Sequence, residues 1–200
     1  MIQEPLLMQN QNGALNEDIY AQKEFFFLRE ENNLKYAIET GTCLGYTTEY
    51  LSQMYDLVHT IEIAPNFKKI AYENRLKNLD NVKMYEGSSS TLLRTMIQDL
   101  PSKEGIFIFL DAHWGTNCPL KDELRQIAEE GIKPVIAIHD FVVPNRPELG
   151  FDSINGQPFN YEWLKEDFDK IYGEGNYKHY YNSESTGAKR GIIYIVPLKK

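Results

Sequence analysis

The sequence predicts an α/β chain built on one mostly parallel sheet of seven strands, with helices on both faces and an antiparallel hairpin strand at its C-terminal end. Three observations predict it. Short apolar runs alternate with longer mixed segments from Tyr36 to Ile138, as buried parallel strands joined by crossover helices should. A glycine turn, Gly41 to Gly45, directly follows the first run. Two further runs near the end flank a Gly-containing stretch and read as a closing hairpin.

Met1 through Asn16 is polar and reads as an arm. Residues 18–31 read as a helix whose acidic start suits the helix dipole, with Tyr20, Phe25, Phe26 and Leu28 available for burial. Residues 36–39, 57–63, 82–86, 106–110 and 135–138 are short apolar runs and read as strands. Helices are expected between them over 47–54, 65–79, 90–99 and 120–130. Pro65 sits in one first turn and Pro119 precedes another. Residues 161–172 read as a further crossover helix, and 176–181 and 191–197 as the closing strands. A length of 200 residues suits one domain, with 1–33 as arm and helix and 34–200 as the sheet-based core.

Composition narrows the function classes. Hydrophobic residues at 42% and charged residues at 25% fit an ordinary globular chain. A formal net charge of -8 argues against nucleic-acid binding. Lys68, Lys69, Arg75 and Lys77 fall on an expected helix and read as a solvated face. Cys43 and Cys118 lack metal-type spacing, which favours a reducing, cytoplasmic setting. Residues 1–10 lack a basic start and are not expected to be a signal peptide. No apolar run is long enough to span a membrane, so no membrane partner is expected.

The stretch Ala37-Ile38-Glu39-Thr40-Gly41-Thr42-Cys43-Leu44-Gly45-Tyr46 reads as strand end, glycine turn and helix start. Glu62, about 23 residues beyond Glu39, ends the next strand; this is the offset at which Rossmann-like sites grip a ribose. An adenosine-containing cofactor is the expectation. A dinucleotide wants three glycines around its pyrophosphate, and Cys43 takes the middle place. Glu39 would repel a phosphate and suit a cationic amino group. S-adenosylmethionine offers that group, a ribose and no phosphate.

Glu-Thr-Gly-Thr-Cys-Leu-Gly-Tyr resembles the first motif of class I S-adenosylmethionine-dependent methyltransferases, in the subgroup whose middle glycine is replaced. The resemblance covers nearly the whole chain past Leu34. It implies that fold and places Glu39, Thr40, Gly41, Gly45, Tyr46, Glu62, Gly87, Ser88 and Asp111 around the cofactor. Ser88 stands where the family often has an adenine-binding Asp. Residues 87–90 read equally well as a helix N-cap.

Two sharper clusters follow the fourth and fifth strands: Leu110-Asp111-Ala112-His113-Trp114 and Ile138-His139-Asp140-Phe141. Buried carboxylates there are costly unless paired or bound to a cation. Asp111 and Asp140 could converge on Mg²⁺ or another divalent cation, and the adjacent histidines leave a softer ion open. The pattern is similar to the macrocin O-methyltransferase and cephalosporin-hydroxylase-type families, which implies Asp111, His139 and Asp140 as metal ligands. His139 stands where those families usually carry an acid. Catalysis would then fall to Asp111, His113 and His139, with either histidine as base. Trp114 is a candidate wall of the site, and His59 and His179 read as structural or exposed.

The implied reaction is S-adenosylmethionine-dependent methyl transfer to a hydroxyl of a small molecule, a sugar or natural product, with possible divalent-metal assistance. A non-catalytic S-adenosylmethionine-binding protein is the alternative from another class, and a nicotinamide-dependent oxidoreductase a weaker one. The long stretch 141–160 is a candidate lid, with Asn145, Arg146 and Tyr161 as polar candidates for an acceptor. Lys189-Arg190 reads as a solvated turn. A homodimer is an expectation, with the long loop and the polar arm as its candidate interface.

Overall fold

Alternation along each strand decides which face of the sheet a side chain meets. In the computed structural model, which describes residues 13–113 and 118–199, Ile106, Ile108 and Leu110 of β4 (Ile106–Leu110) enter one apolar core. Phe107 and Phe109 of the same strand enter a second core on the other face. The period-2 geometry of a strand buried on both sides produces this split.

The parallel strands are β1 (Tyr36–Thr40), β2 (Leu57–Glu62), β3 (Val82–Glu86), β4 and β5 (Val135–His139). A short hairpin, β6 (Ser153–Ile154) and β7 (Gln157–Pro158), lies outside the main sheet. The closing pair is β8 (Tyr177–Tyr181) and β9 (Ile192–Pro197). The sheet runs β3-β2-β1-β4-β5-β9-β8, with β9 antiparallel to both neighbours. The chain reverses its direction of winding between β1 and β4, the switch point where open α/β sheets bind ligands.

One face carries α1 (Ile19–Asn32) and α2 (Tyr46–Ser52), whose Phe25, Leu28 and Leu51 pack on Ala37, Phe107 and Phe109. The other carries α4 (Ser89–Gln98), α5 (Leu120–Glu129) and α6 (Tyr161–Tyr172), through Leu93, Leu124 and Phe168 among others. Between β2 and β3, α3 (Pro65–Ala71) passes into a π-type turn, Tyr72–Leu76, where an unbroken helix was expected. Asp18 stands outside its helix as the N-cap and accepts from the N–H groups of Tyr20 and Ala21.

The N-terminal turn Ala14–Glu17 is pinned to the loop between β8 and β9. Asp18 accepts from the Ser185 hydroxyl and the Thr186 N–H, and Thr186 donates to the Glu17 carbonyl. Thr47 accepts from the Leu15 N–H, which holds the turn against α2. Among the described residues no helix is long and apolar enough to cross a membrane.

Candidate active site

All five parallel strands point their carboxyl ends at one pocket of about 430 Å³. Gly41, Gly45 and Tyr46 reach it from the turn after β1, Glu62 from β2, and Gly87 and Ser88 from β3. Asp111 and His113 reach it from β4, and His139 and Asp140 from β5. Gly13 and Asn16 close it from the N-terminal turn, which the sequence presents only as a polar arm. Trp114, and the Gly115, Thr116 and Asn117 that follow it, lie outside the described residues.

The turn after β1 is shaped by two positive-φ glycines. Gly41 has φ +90, and a Cβ there would lie 2.5 Å from the Asp111 carbonyl oxygen. Gly45 has φ +81 and opens α2. Glu62 faces the pocket with both oxygens anchored. Oε2 accepts from the Cys43 N–H at 2.8 Å and Oε1 from the Ala64 N–H at 2.9 Å. Each oxygen keeps a second lone pair for a ligand hydroxyl. Ile63, Ala64 and Phe67 make an apolar wall beside it. Arg75 stacks on the Tyr46 ring, 3.4 Å from its centroid, and pairs with Glu49. Ser88 is the N-cap residue of α4, but its hydroxyl pairs with Ser90 at 2.7 Å and caps no helix N–H.

Glu39 and Thr40 depart from the expected cofactor contacts. Glu39 is 1% exposed, lies beneath the turn on the α2 face, and accepts from the hydroxyls of Thr48 and Thr60. Burial pushes its carboxyl up to about 8, against the two hydroxyl hydrogen bonds. Thr40 is fully buried on the opposite face, and its carbonyl and hydroxyl both accept from the Asp111 N–H. Neither lines the pocket; they tie its floor together.

Four titratable groups form a chain at the other end. His139 Nδ1 lies 3.2 Å from Asp111 Oδ1 and 3.3 Å from Asp140 Oδ1. His113 Nε2 lies 3.2 Å from Asp140 Oδ2, while its Nδ1 is buried with no partner. Burial alone would lower both histidines. For His139, Asp140 and Asp111 outweigh it and raise the ring well above its ordinary range. For His113 the same two acids, Asp140 foremost, raise it less. Burial acts to raise Asp140, but His139 and His113 hold it well below the usual carboxylate range. Phe159, from the stretch after β5, stands edge-on to His113 at 4.9 Å.

Sequence reasoning missed three charged residues here. Arg190, read as part of a solvated turn, donates to both Asp140 and Asp152. Asp152 sits just before β6 in the stretch read as a lid. Glu123 of α5 is fully buried near the Ser89 and Thr40 hydroxyls, and burial pushes its carboxyl up toward the neutral acid. Conversely, Tyr161 faces away from the pocket, stacked on His179 and bonded to the Tyr177 hydroxyl. Arg146 pairs with Glu148 and the Ser183 carbonyl. His59 is a buried structural residue, its Nδ1 2.9 Å from the Met96 carbonyl.

The donor atoms of Asp111, His139 and Asp140 lie within 4.8 Å of one another, a spacing that suits a divalent cation. Their lone pairs do not suit it. Asp140 Oδ1 already meets both His139 and Arg190, which occupies both its lone pairs, and His139 Nδ1 lies 3.2 and 3.3 Å from oxygens of Asp111 and Asp140, where it is a hydrogen-bond donor and not a ligand. A metal ligand must offer a free lone pair, so this donor set does not fit a metal as arranged.

No family model matches the sequence, and no curated protein matches it either. Solved structures do match. An O-methyltransferase from Bacillus cereus in complex with SAH is 22% identical, covering 90% of this chain and 81% of that one, with a TM-score of 0.61. The O-methyltransferase TomG from Streptomyces achromogenes, involved in tomaymycin synthesis and solved with SAM, is 17% identical over 90% and 80% (TM-score 0.62). CalS10, an amino pentose methyltransferase from Micromonospora echinaspora, is 14% identical over 88% and 90% (TM-score 0.57). With its strand order, reversed β9 and ligand-facing switch point, this chain has the Rossmann-like class I methyltransferase fold.

Proposed function

We propose that this protein transfers a methyl group from S-adenosylmethionine to a hydroxyl of a small molecule. One observation carries the reading: the pocket joins a ribose-type carboxylate, Glu62, to an Asp–His cluster, and among the described residues lining it there is no Lys or Arg. At the nucleoside end a dinucleotide's pyrophosphate would meet the Glu62 carboxylate with no Lys or Arg among the described lining residues to clamp it. A sulfonium nucleoside carries positive charge and no phosphate, so that acid favours it. The apolar wall of Ile63, Ala64 and Phe67 suits an adenine face.

When bound, S-adenosylmethionine supplies an electrophilic methyl carbon. The chain's own groups bind, orient and deprotonate. Glu62 accepts from the ribose hydroxyls. Asp111 lies between the donor end of the pocket and the histidines. His139, clamped by Asp111 and Asp140, acts as a fixed cation that can hold a developing alkoxide. Donation by His113 Nε2 to Asp140 leaves Nδ1 to accept the acceptor's proton as its oxygen bonds to carbon. A sugar or natural product is the acceptor class that the sequence resemblance implies.

Calorimetric titration tests the first half. S-adenosylmethionine and S-adenosylhomocysteine should bind, and NAD should not. Heat with NAD and none with either sulfur nucleoside would sink the proposal. Turnover against a panel of hydroxylated acceptors tests the second half.

A further inference from the structure

We propose that Arg190 is the resident cation of the strand-end acid cluster, holding Asp140 in the position where a divalent metal would otherwise hold it. The inference rests on the reading of that cluster as the acceptor end of the pocket.

Two groups of ligand-type atoms lie close enough together to hold a metal among the described residues: Asp111, His139 and Asp140, and His113, Asp140 and Asp152. Asp140 belongs to both. Arg190 crosses both, with Nε donating to Asp140 Oδ1 and Nη2 to Asp152 Oδ1. Counting the histidines, three N–H donors meet the two oxygens of Asp140. A planar guanidinium can span two carboxylates in this way; the point charge of a lysine cannot.

The seat for the guanidinium is built by the backbone. A Cβ on Gly150 would lie 2.7 Å from Arg190 Nη1, so the guanidinium passes directly over the bare backbone of this glycine. The Gly150 N–H donates to the Lys189 carbonyl, and the Gly191 N–H to the Gly150 carbonyl, which fixes both sides of Arg190. The Asp152 N–H donates to the Asp140 carbonyl, so the two acids that the guanidinium joins are also joined through the chain. The Asp140 side chain is 14% exposed and that of Arg190 27%, so water weakens this pairing less than at an open surface.

Arg190 does not line the pocket. It acts through Asp140, which it aims at His113, and is therefore a positioning residue. Its charge also opposes entry of a second cation.

Manganese binding to the full chain, without nucleoside, tests this by paramagnetic resonance or calorimetry. Replacing Arg190→Ala should tighten Mn²⁺ binding at least about ten-fold over wild type, because a buried acid loses its counter-charge. Adding Asp140→Asn to that variant should remove the gain. Arg190→Lys, which keeps a cation, should gain less. If Arg190→Ala does not fold, Arg190→Gln carries the same expectation, since it keeps part of the side chain and an N–H donor without charge. Wild-type Mn²⁺ affinity equal to or tighter than that of the folded neutral variant would overturn the inference. A chain that fails to bind S-adenosylmethionine but shows the gain would still uphold it; one that binds the nucleoside without the gain overturns this inference alone.

Discussion

Gly41 and Asp111 touch so closely that a single added carbon would separate them: a Cβ on Gly41 would sit 2.5 Å from the Asp111 carbonyl oxygen. The turn proposed to cradle the methyl donor and the strand end that carries Asp111 are thus in direct contact. The Asp111 N–H donates to Thr40 on the same seam.

Gly41→Ala should therefore damage both halves of the site. A φ of +90 alone costs a side-chain-bearing residue about 1–3 kcal/mol, and the clash is with backbone, which cannot rotate away. A lowered melting temperature and a loss of S-adenosylmethionine binding should appear together. Gly45, at φ +81, carries a similar backbone strain, but a Cβ there would meet only side chains, Ala71 at 3.1 Å and Leu76 at 3.4 Å, which can give by a small shift. Gly45→Ala should bind the nucleoside better than Gly41→Ala does, and the reverse order would refute this account of the seam.

Glu62→Ala should weaken S-adenosylmethionine about 10- to 100-fold, since hydrogen bonds to a charged group contribute about 1.5–3 kcal/mol. Glu62→Gln should not rescue it. Both carboxylate oxygens accept from backbone N–H groups, so an amide NH₂ must face either Cys43 or Ala64 with a donor against a donor. Calorimetry on the two variants gives the comparison, and full binding by the glutamine variant would contradict it.

The central strands β4 and β5 were legible because strands buried on both faces are unbroken apolar runs, as Ile106-Phe107-Ile108-Phe109-Leu110 is, whereas the half-buried edge strand β3 was legible only from its place in the alternation. Glu62 was legible for the same reason, as a lone acid ending such a run. Glu39 misled because its role depends on which way the strand pleat turns it. Ile38 points to the α4–α5 core, so Glu39 points under α2, where Thr48 and Thr60 meet it. Arg190 was invisible as a site residue because nothing local places it. Pairing of His139 with Ile192 across β5 and β9 carries it to Asp140, fifty positions earlier in the chain. Asp152 is hidden the same way, inside a loop whose short hairpin leaves no periodic signal.

Glu39 gives a prediction on stability. Its folded pKa, about 8, lies above its ordinary 4.5. The folded state therefore keeps a proton that the unfolded chain releases, and the stability from that proton is full below 4.5 and is lost as pH rises toward 8. Glu39→Gln removes the titration and can still accept from the two threonine hydroxyls. The stability difference between Glu39→Gln and wild type should thus grow with pH by up to about 1.4 kcal/mol per unit across that window and level off above it. Denaturant unfolding at pH 5, 7 and 9 measures it. A difference that shrinks with rising pH would mean that Glu39 is ionised in the fold.

His113 carries the last prediction, on rate. Asp140 and Asp111 raise its pKa above 6.5 against the pull of burial, so part of the protein near neutral pH holds the ring protonated and unable to act as base. The rate should climb with pH through the His113 pKa and then flatten. Asp140→Asn removes the nearest negative charge, which lowers that pKa and moves the rising limb toward acid, even as the maximal rate falls. His113→Asn should cost about 10²–10⁴-fold in kcat while leaving S-adenosylmethionine bound, because the ring lies at the far end of the pocket from Glu62. His139 makes the control. Held between two acids and raised well above its usual range, it stays charged through the same window, so His139→Gln should lower the rate without erasing the limb. If the limb vanishes in His139→Gln and survives in His113→Asn, the two histidines have exchanged roles.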